Sequence, residues 1–405
     1  MSHFVQMQLR SRPVERTLST KANALNTLSS LQVLRGFAAS LVVFHHAARA
    51  FTANWPADAV PPGFWIFSSE RIVGAGAIGV DIFFLISGFI MVFVSPPYVN
   101  REKPARDFII RRTIRVYPMY AIATSLIIAI AFLRFYRHSS IDTLPPISLS
   151  RIVAAFAFVP TFDENGNVQP ILGVGWTLFY EMFFYVCFAA VVAVFRRRII
   201  GPLTVIFCAA NATAWIFGAH DAISKFFANT IVFEFLFGCA IGSLFQRRAI
   251  TAAYAWPLLF IGLGLMIAGS AFAFPESARF IFWGIPSMIV LLSCLKLELA
   301  HIKCPRVLLL LGDASYSVYL FHVIVIYESR DIARKLIDLS RFPGDLVVLV
   351  FAILAIISGT IVYRLVEAPL NSFLLRLYRG QQRLTEAHSV PATETERAVP
   401  APLPD

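Results

Sequence analysis

The feature that most constrains the fold is a succession of long apolar runs along a chain of 405 residues. Hydrophobic residues make up 58% of the chain and charged residues only 15%, whereas about a quarter of the residues in a soluble domain are charged. Each run approaches the roughly 20 residues that a helix needs to cross the hydrocarbon core of a bilayer. The runs lack the alternation of apolar and polar residues that is typical of a membrane β-barrel. The sequence therefore predicts an all-α fold, that of a polytopic helical membrane protein.

Ten apolar runs can be counted as transmembrane helices. They cover residues 31–50, 75–95, 116–133, 173–195, 199–218, 228–246, 253–274, 279–296, 306–327 and 345–367. The polar segment 1–28 and the tail 373–405 are predicted to be disordered, which leaves residues 29–372 as the membrane domain. With ten spans, most Lys and Arg residues lie in segments on the same side of the membrane as the N-terminus. Both termini are therefore predicted to be cytoplasmic. We expect a multi-pass protein of a bacterial inner (plasma) membrane.

Charge and cysteine usage argue against several other classes of protein. The net charge of +11 is carried by residues at the ends of apolar runs, which indicates membrane topology, and no nucleic-acid motif is present. The five cysteines have neither metal-ligand spacing nor the pattern of a secreted disulfide framework. We expect no nucleic-acid partner and no metal site.

Ionisable residues inside the predicted spans are the strongest indication of function. In the predicted topology six of them lie at a similar depth, toward the outer side: His45, His46, Asp81, Glu181, Glu234 and His322. Any one of them could be a structural hydrogen-bond partner, and Glu234 in particular favours that interpretation. Each would cost several kcal/mol if it were left unpaired in lipid, on the order of the penalty for a buried polar group. If the spans adjoin, the six side chains form one polar cluster.

A basic segment precedes the third span on the cytoplasmic side. Arg111 and Arg115 share a helix face, and Arg112 lies beside them. Guanidinium groups match phosphate oxygens, although ordinary positive-inside flanking would also explain the charges. Arg35, at the inner end of the first span, could likewise pair with phosphate or anchor the helix. Acyl-coenzyme A would fit this layout, since its nucleotide could stay at the arginines while its thin pantetheine arm reaches inward.

The order and spacing of these motifs resemble the integral-membrane acyltransferase 3 family, and within it the ExoZ-like exopolysaccharide acetyltransferases. The family signature of an arginine and a histidine separated by ten residues matches Arg35 and His46. The other matching segments are 79–89, 111–118, 173–185, 312–322 and 367–370. The resemblance extends from about residue 31 to residue 372.

The resemblance implies an O-acyltransferase that moves an acyl group, commonly acetyl, from cytoplasmic acyl-CoA to a sugar of a surface or secreted polysaccharide. Acetyl-CoA would be a co-substrate rather than a permanently bound cofactor. The expected partners are acyl-CoA, membrane lipid, a lipid-linked or nascent polysaccharide acceptor, and polysaccharide assembly proteins.

The resemblance also makes His46 the leading catalytic residue. A neutral imidazole suits a general base that takes the proton of the attacking sugar hydroxyl. His45 is a second catalytic candidate, and Glu181 or Asp81 could orient the ring of His46. The candidates for stabilising the oxyanion or positioning the substrate are Trp176, Ser315, Tyr316 and His322. In a variant route His46 is itself acylated and then passes the group outward.

Two other classes of function remain open at this point. A transporter or flippase of a lipid-linked glycan would also have about ten spans with polar groups at mid-depth, but the sequence contains no visible inverted repeat. A structural scaffold for polysaccharide assembly would leave the buried charges unexplained.

Overall fold

The computed structural model describes residues 28–388, with gaps at 53–62, 64–65, 68, 96–103, 139–146, 197, 273 and 275. Within these residues the regular structure is helical, apart from one antiparallel bridge between Phe162 and Val168. The α-helices are α1 Ser29–Thr52, α2 Glu70–Ala75, α3 Ile78–Val94, α4 Pro104–His138, α5 Leu149–Phe156, α6 Trp176–Phe195, α7 Ile200–Ile216, α8 Ala222–Ala228, α9 Val232–Gln246, α10 Ala255–Ser270, α11 Ile285–Leu299, α12 Arg306–Leu336, α13 Gly344–Val362 and α14 Ala368–His388. Short π-helical segments, Phe280–Gly284 and Tyr363–Glu367, lead into α11 and α14. The predicted all-α class is confirmed.

Seven helical segments among the described residues are long and apolar enough to cross a membrane. They are Arg71–Val94, Ala105–Tyr136, Gly173–Phe195, Ala222–Gln246, Phe280–Leu299, Arg306–Leu336 and Gly344–Gln382. The fifth and seventh predicted spans correspond to the shorter apolar helices α7 and α10. Helix α1, the first predicted span, is not among the seven, and it carries Arg35, Arg49 and two histidines. The predicted count of ten spans is therefore not confirmed, although every predicted span falls on a described helix.

Close helix crossings depend on glycines in two helix pairs. A Cβ atom at Gly238 of α9 would lie 2.0 Å from the carbonyl oxygen of Leu85 in α3, and one at Gly88 would lie 2.1 Å from that of Phe235. Only glycine permits such an approach of two backbones, which is how small residues pack helices in lipid.

Helix α12 crosses α1 at a similar glycine contact. A Cβ atom at Gly36 would lie 3.0 Å from the backbone nitrogen of Gly312, and one at Gly312 would lie 2.1 Å from the carbonyl oxygen of Gln32. These two helices form one of the most extensive contacts of the fold. This contact determines which side chains of α1 and α12 face one another along the two helices.

The C-terminal helix extends beyond the predicted end of the membrane domain at residue 372. Helix α14 continues to His388, and the side chains of Tyr378 and Gln382 donate hydrogen bonds to Oδ1 of Asp107, at 2.7 and 2.8 Å. The first part of the predicted disordered tail is therefore helical and anchored to the start of α4. The rest of that tail, 389–405, and residues 1–27 of the predicted disordered N-terminus lie outside the described residues.

Candidate active site

Three histidines lie together where α1 meets α2 and α12. The rings of His45 and His46 are 4.9 Å apart between centroids, and the rings of His46 and His322 are also 4.9 Å apart. Nδ1 of His45 lies 2.6 Å from the carbonyl oxygen of Val73 in α2. His322 is fully buried, while His45 and His46 are half-buried. The sequence-predicted catalytic histidine thus has a second imidazole as its direct neighbour.

The hydrogen bonds assign a tautomer to two of these rings. Nδ1 of His322 lies 3.1 Å from the carbonyl oxygen of Val318, and Nδ1 of His46 lies 3.0 Å from that of Val42. A carbonyl only accepts, so each Nδ1 carries a proton. Nε2 of His322 then has the lone pair, and it shares the single Nδ1–H of His46, at 3.2 Å, with the carbonyl oxygen of Val42. The Nε2 lone pair of His46 remains for chemistry, and no residue within the described part of the chain hydrogen-bonds to that atom.

The contact between His46 and His322 follows from the crossing of α1 and α12. His46 lies ten residues after Gly36, and His322 lies ten residues after Gly312. Parallel helices that touch at one such pair meet again at the other, roughly 15 Å further along both axes. The glycine contact thus positions the two imidazoles.

A narrow cavity of about 90 Å³ contains most of the predicted basic site. Arg35 from α1 and Arg112 and Arg115 from α4 line it, together with Glu181 of α6. The Glu181 carboxylate accepts hydrogen bonds from the hydroxyl groups of Tyr185 and Ser87, the latter at 3.3 Å. The three arginines therefore outnumber the single carboxylate of the lining, and the cavity suits an anionic ligand.

Tyr319 connects this cavity to the histidines. Its side chain lines the cavity, and its ring centroid lies 5.9 Å from that of His322. Its hydroxyl donates to the carbonyl oxygen of Val174 at 2.9 Å and lies 2.8 Å from Oγ1 of Thr177. His46 itself does not line the cavity, and the ring contacts connect it to Tyr319 through His322.

The remaining predicted residues have different surroundings. Arg111 lies over the ring of Tyr378, 5.5 Å from its centroid, and does not line the cavity with the other arginines. Ser315 lines the cavity with a buried hydroxyl that has no hydrogen-bond partner among the described residues. Tyr316 also lines it, but its hydroxyl already donates to the carbonyl oxygen of Val116 at 2.6 Å. Ser315 is therefore the better placed of these two to act as a donor.

The predicted single cluster of six ionisable groups is divided into three. Glu181 belongs to the arginine cavity. Both carboxylate oxygens of buried Asp81 accept hydrogen bonds from Arg279, at 3.0 and 2.7 Å, and Glu234 lies buried beside that pair. The sequence suggested that Asp81 or Glu181 orients the ring of His46. Neither carboxylate hydrogen-bonds to His46 among the described residues. The physical reason is that each carboxylate already accepts hydrogen bonds from other side chains, Asp81 from Arg279, and Glu181 from Tyr185 and Ser87.

Sequence reasoning missed two partners in these groups. Arg279 is the first residue of the eighth predicted span, where a basic residue is typical of an ordinary membrane flank. No sequence pattern indicated that it would pair with Asp81. His322 was predicted to stabilise the oxyanion or position the substrate, and its hydrogen bond to His46 in the structure was not foreseen. The equal spacing of Gly36–His46 and Gly312–His322 was the available signal for that pair.

The helices and these sites describe a multi-pass membrane protein with a basic cavity beside a buried histidine pair. Residues 28–364 match the acyltransferase domain model of the acyltransferase 3 family, and the chain belongs to that family. It is therefore an acyl-transferring membrane enzyme, and the resemblance seen in the sequence is confirmed.

Known relatives cover most of the chain. The exopolysaccharide production protein ExoZ of Rhizobium meliloti is 30% identical over 323 residues, covering 77% of this chain and 93% of that protein. Nodulation protein 10 of Rhizobium leguminosarum bv. viciae is 25% identical, over 74% of this chain and 83% of its own length. Peptidoglycan O-acetyltransferase OatA of Listeria monocytogenes is 24% identical, over 45% of this chain and 30% of its length. No solved structure matches the chain.

Proposed function

We propose that this protein transfers an acetyl group from cytoplasmic acetyl-CoA to a sugar hydroxyl of an exopolysaccharide or other cell-surface glycan. One observation carries the proposal: a cavity lined by three arginines extends to Tyr319, beside the pair formed by His46 and His322. A basic donor site thereby lies next to the histidine pair that contains the candidate general base. The names of two relatives, an exopolysaccharide production protein and a peptidoglycan O-acetyltransferase, support a glycan acceptor.

The donor's charge and shape both fit the arginine cavity. Its phosphates would pair with Arg35, Arg112 and Arg115, which line one cavity although they come from two helices. A volume of about 90 Å³ has room for the acyl end of the donor but not for its whole pantetheine arm, so the nucleotide would remain outside. In this arrangement the arginine end of the cavity faces the cytoplasm.

His46 acts as the general base in this proposal. Its Nε2 takes the proton of the sugar hydroxyl while the hydroxyl oxygen attacks the thioester carbonyl. The carbon–sulfur bond then breaks, and the leaving coenzyme A thiolate recovers that proton from Nε2. The Ser315 hydroxyl lines the cavity and has no hydrogen-bond partner in the described part of the chain, so it would donate a hydrogen bond to the oxyanion.

Binding of acetyl-CoA is expected to depend on the cavity arginines. Acetyl-CoA should raise the thermal unfolding midpoint of the purified protein, because a ligand that binds the folded state stabilises it. Arg115→Ala should raise the Kd and the KM for acetyl-CoA by roughly tenfold or more, since it removes charge-assisted hydrogen bonds to phosphate. The measurements are thermal unfolding and initial rates across a range of acetyl-CoA concentrations.

Arg247→Ala is the matched control, because Arg247 is an exposed arginine that follows α9 and lies outside the cavity lining. Its donor KM should equal that of the wild type. Protection by a lipid-linked saccharide and none by acetyl-CoA would contradict the proposal and favour a transporter.

His322 is expected to be a positioning residue that acts through His46. In His322→Leu the Nδ1–H of His46 loses its acceptor on α12, and kcat should fall by up to roughly a hundredfold while the KM for acetyl-CoA stays unchanged. In His322→Gln the amide oxygen can still accept that proton, so most of the activity should return. A role in packing alone predicts the reverse order, because buried Leu is better tolerated than buried Gln. Equal or greater activity in the Leu variant would therefore rule out the positioning role.

A further inference from the structure

The structure contains a second and larger cavity, of about 630 Å³, that the donor site does not use. The loop around Gln169, the first turn of α6 at Trp176, the end of α7 at Trp215 and helix α8 line it. Arg279, at the start of the segment leading into α11, closes one side. Its size falls within the range of cavities that hold small ligands.

The lining combines flat aromatic surfaces with unpaired polar groups. The carboxamide of Gln169 and the indole N–H of Trp176 have no hydrogen-bond partner among the residues that the structure describes. At Asn229 the amide oxygen accepts from the backbone of Ile231, while its NH₂ group has no such partner within the same residues. Trp215 leaves 60% of its surface exposed. Because a sugar presents a C–H face and a rim of hydroxyl groups, aromatic rings and amides together suit a saccharide.

Other classes of ligand fit this lining less well. A fatty acyl chain would leave the amide groups buried without partners, at a cost of about 1–3 kcal/mol each. A metal cation would find no carboxylate, since the lining contains Lys225 and Arg279 but neither Asp nor Glu. Hydroxyl groups can both donate to and accept from the amides, which again favours a saccharide.

The two cavities adjoin at a single aromatic layer. Phe84 lines the donor cavity, and its ring packs edge-on against Trp176 and Tyr180 of the second cavity, with centroids 6.4 and 6.2 Å apart. Thr177 lines the donor cavity, whereas its neighbour Trp176 lines the second one. A ligand in the second cavity would therefore be separated from the donor cavity by the Phe84 ring.

We propose that this second cavity is the acceptor site and binds a saccharide segment through Trp215, Gln169 and Trp176. The inference rests on the proposed acetyl transfer but concerns a separate part of the molecule. It gives Trp176 a place at the boundary between the two substrates, instead of the oxyanion role that the sequence suggested.

The test is a titration of the purified full-length protein in detergent, without any acyl donor. The probes are de-O-acetylated oligosaccharides from the producing cell's own exopolysaccharide and, separately, glycan fragments of its peptidoglycan. Calorimetry should detect binding of one of them to the wild type, and Trp215→Ala should raise its Kd by roughly tenfold. Trp256→Ala is the matched control, because Trp256 is an exposed tryptophan on α10 outside the cavity, and its Kd should equal that of the wild type.

The outcomes separate this inference from the proposed function. If neither probe binds the wild type, or if both variants bind with the wild-type Kd, the acceptor site is overturned, even where acetyl-CoA still protects the protein. If a saccharide binds and Trp215→Ala weakens it, the acceptor site is supported. That support would stand even if acetyl-CoA gave no thermal protection, a result that would count against the transferase alone.

Discussion

Replacing His46 with alanine is expected to lower acyl transfer by about 10²–10⁴-fold, the usual contribution of a general base. The variant removes the Nε2 lone pair that serves as the base in this proposal. The O-acetyl content of the cell's polysaccharides, compared at matched protein level, measures the effect in cells. Initial rates with acetyl-CoA measure it in the purified protein.

His301→Ala controls for the loss of a histidine as such, because His301 is exposed and lies in the turn between α11 and α12. It should leave the O-acetyl content unchanged. Binding of acetyl-CoA should persist in His46→Ala, since His46 does not line the donor cavity. Equal acetylation by wild type and His46→Ala would overturn both the base and the proposed chemistry.

Helix positions could be predicted from the sequence because a bilayer imposes a length and a composition on each span. The arginine and histidine of α1 could be found because ionisable groups are costly in lipid, so they stand out within an apolar run. Helix α14 was missed because its amphipathic sequence is polar on average and resembles a solvated tail. Its order comes from contacts with Asp107 of α4, which no local pattern records.

The partners of the buried charges could not be predicted, and the reason is physical. In a soluble helix the apolar stripe shows which face points inward. Helix α3 is apolar on all sides, so its sequence does not show that Asp81 faces Arg279 rather than His46. The position of a residue along its helix was predictable, but rotation about the helix axis was not, because packing against neighbouring helices sets it.

Arg279→Ala is expected to destabilise the protein by about 3–5 kcal/mol, the usual cost of removing one partner from a buried ion pair. Asp81 is fully buried and the Arg279 side chain is only 15% exposed. Without the guanidinium group, the carboxylates of Asp81 and Glu234 would lie side by side with no cation. The thermal unfolding midpoint in detergent and the yield of monodisperse protein should both fall.

Arg134, which forms exposed ion pairs with Glu328 and Asp331, supplies the control for this experiment. Arg134 is 49% exposed, so Arg134→Ala should cost no more than about 1 kcal/mol. The double variant Asp81→Leu/Arg279→Met should be more stable than Arg279→Ala alone, because removing both charges abolishes the uncompensated one. If Arg279→Ala unfolds at the same temperature as Arg134→Ala, then the buried pair contributes little to stability. A double variant less stable than the single one would show that the pair is required for the packing of α3 and not only for neutralising Asp81.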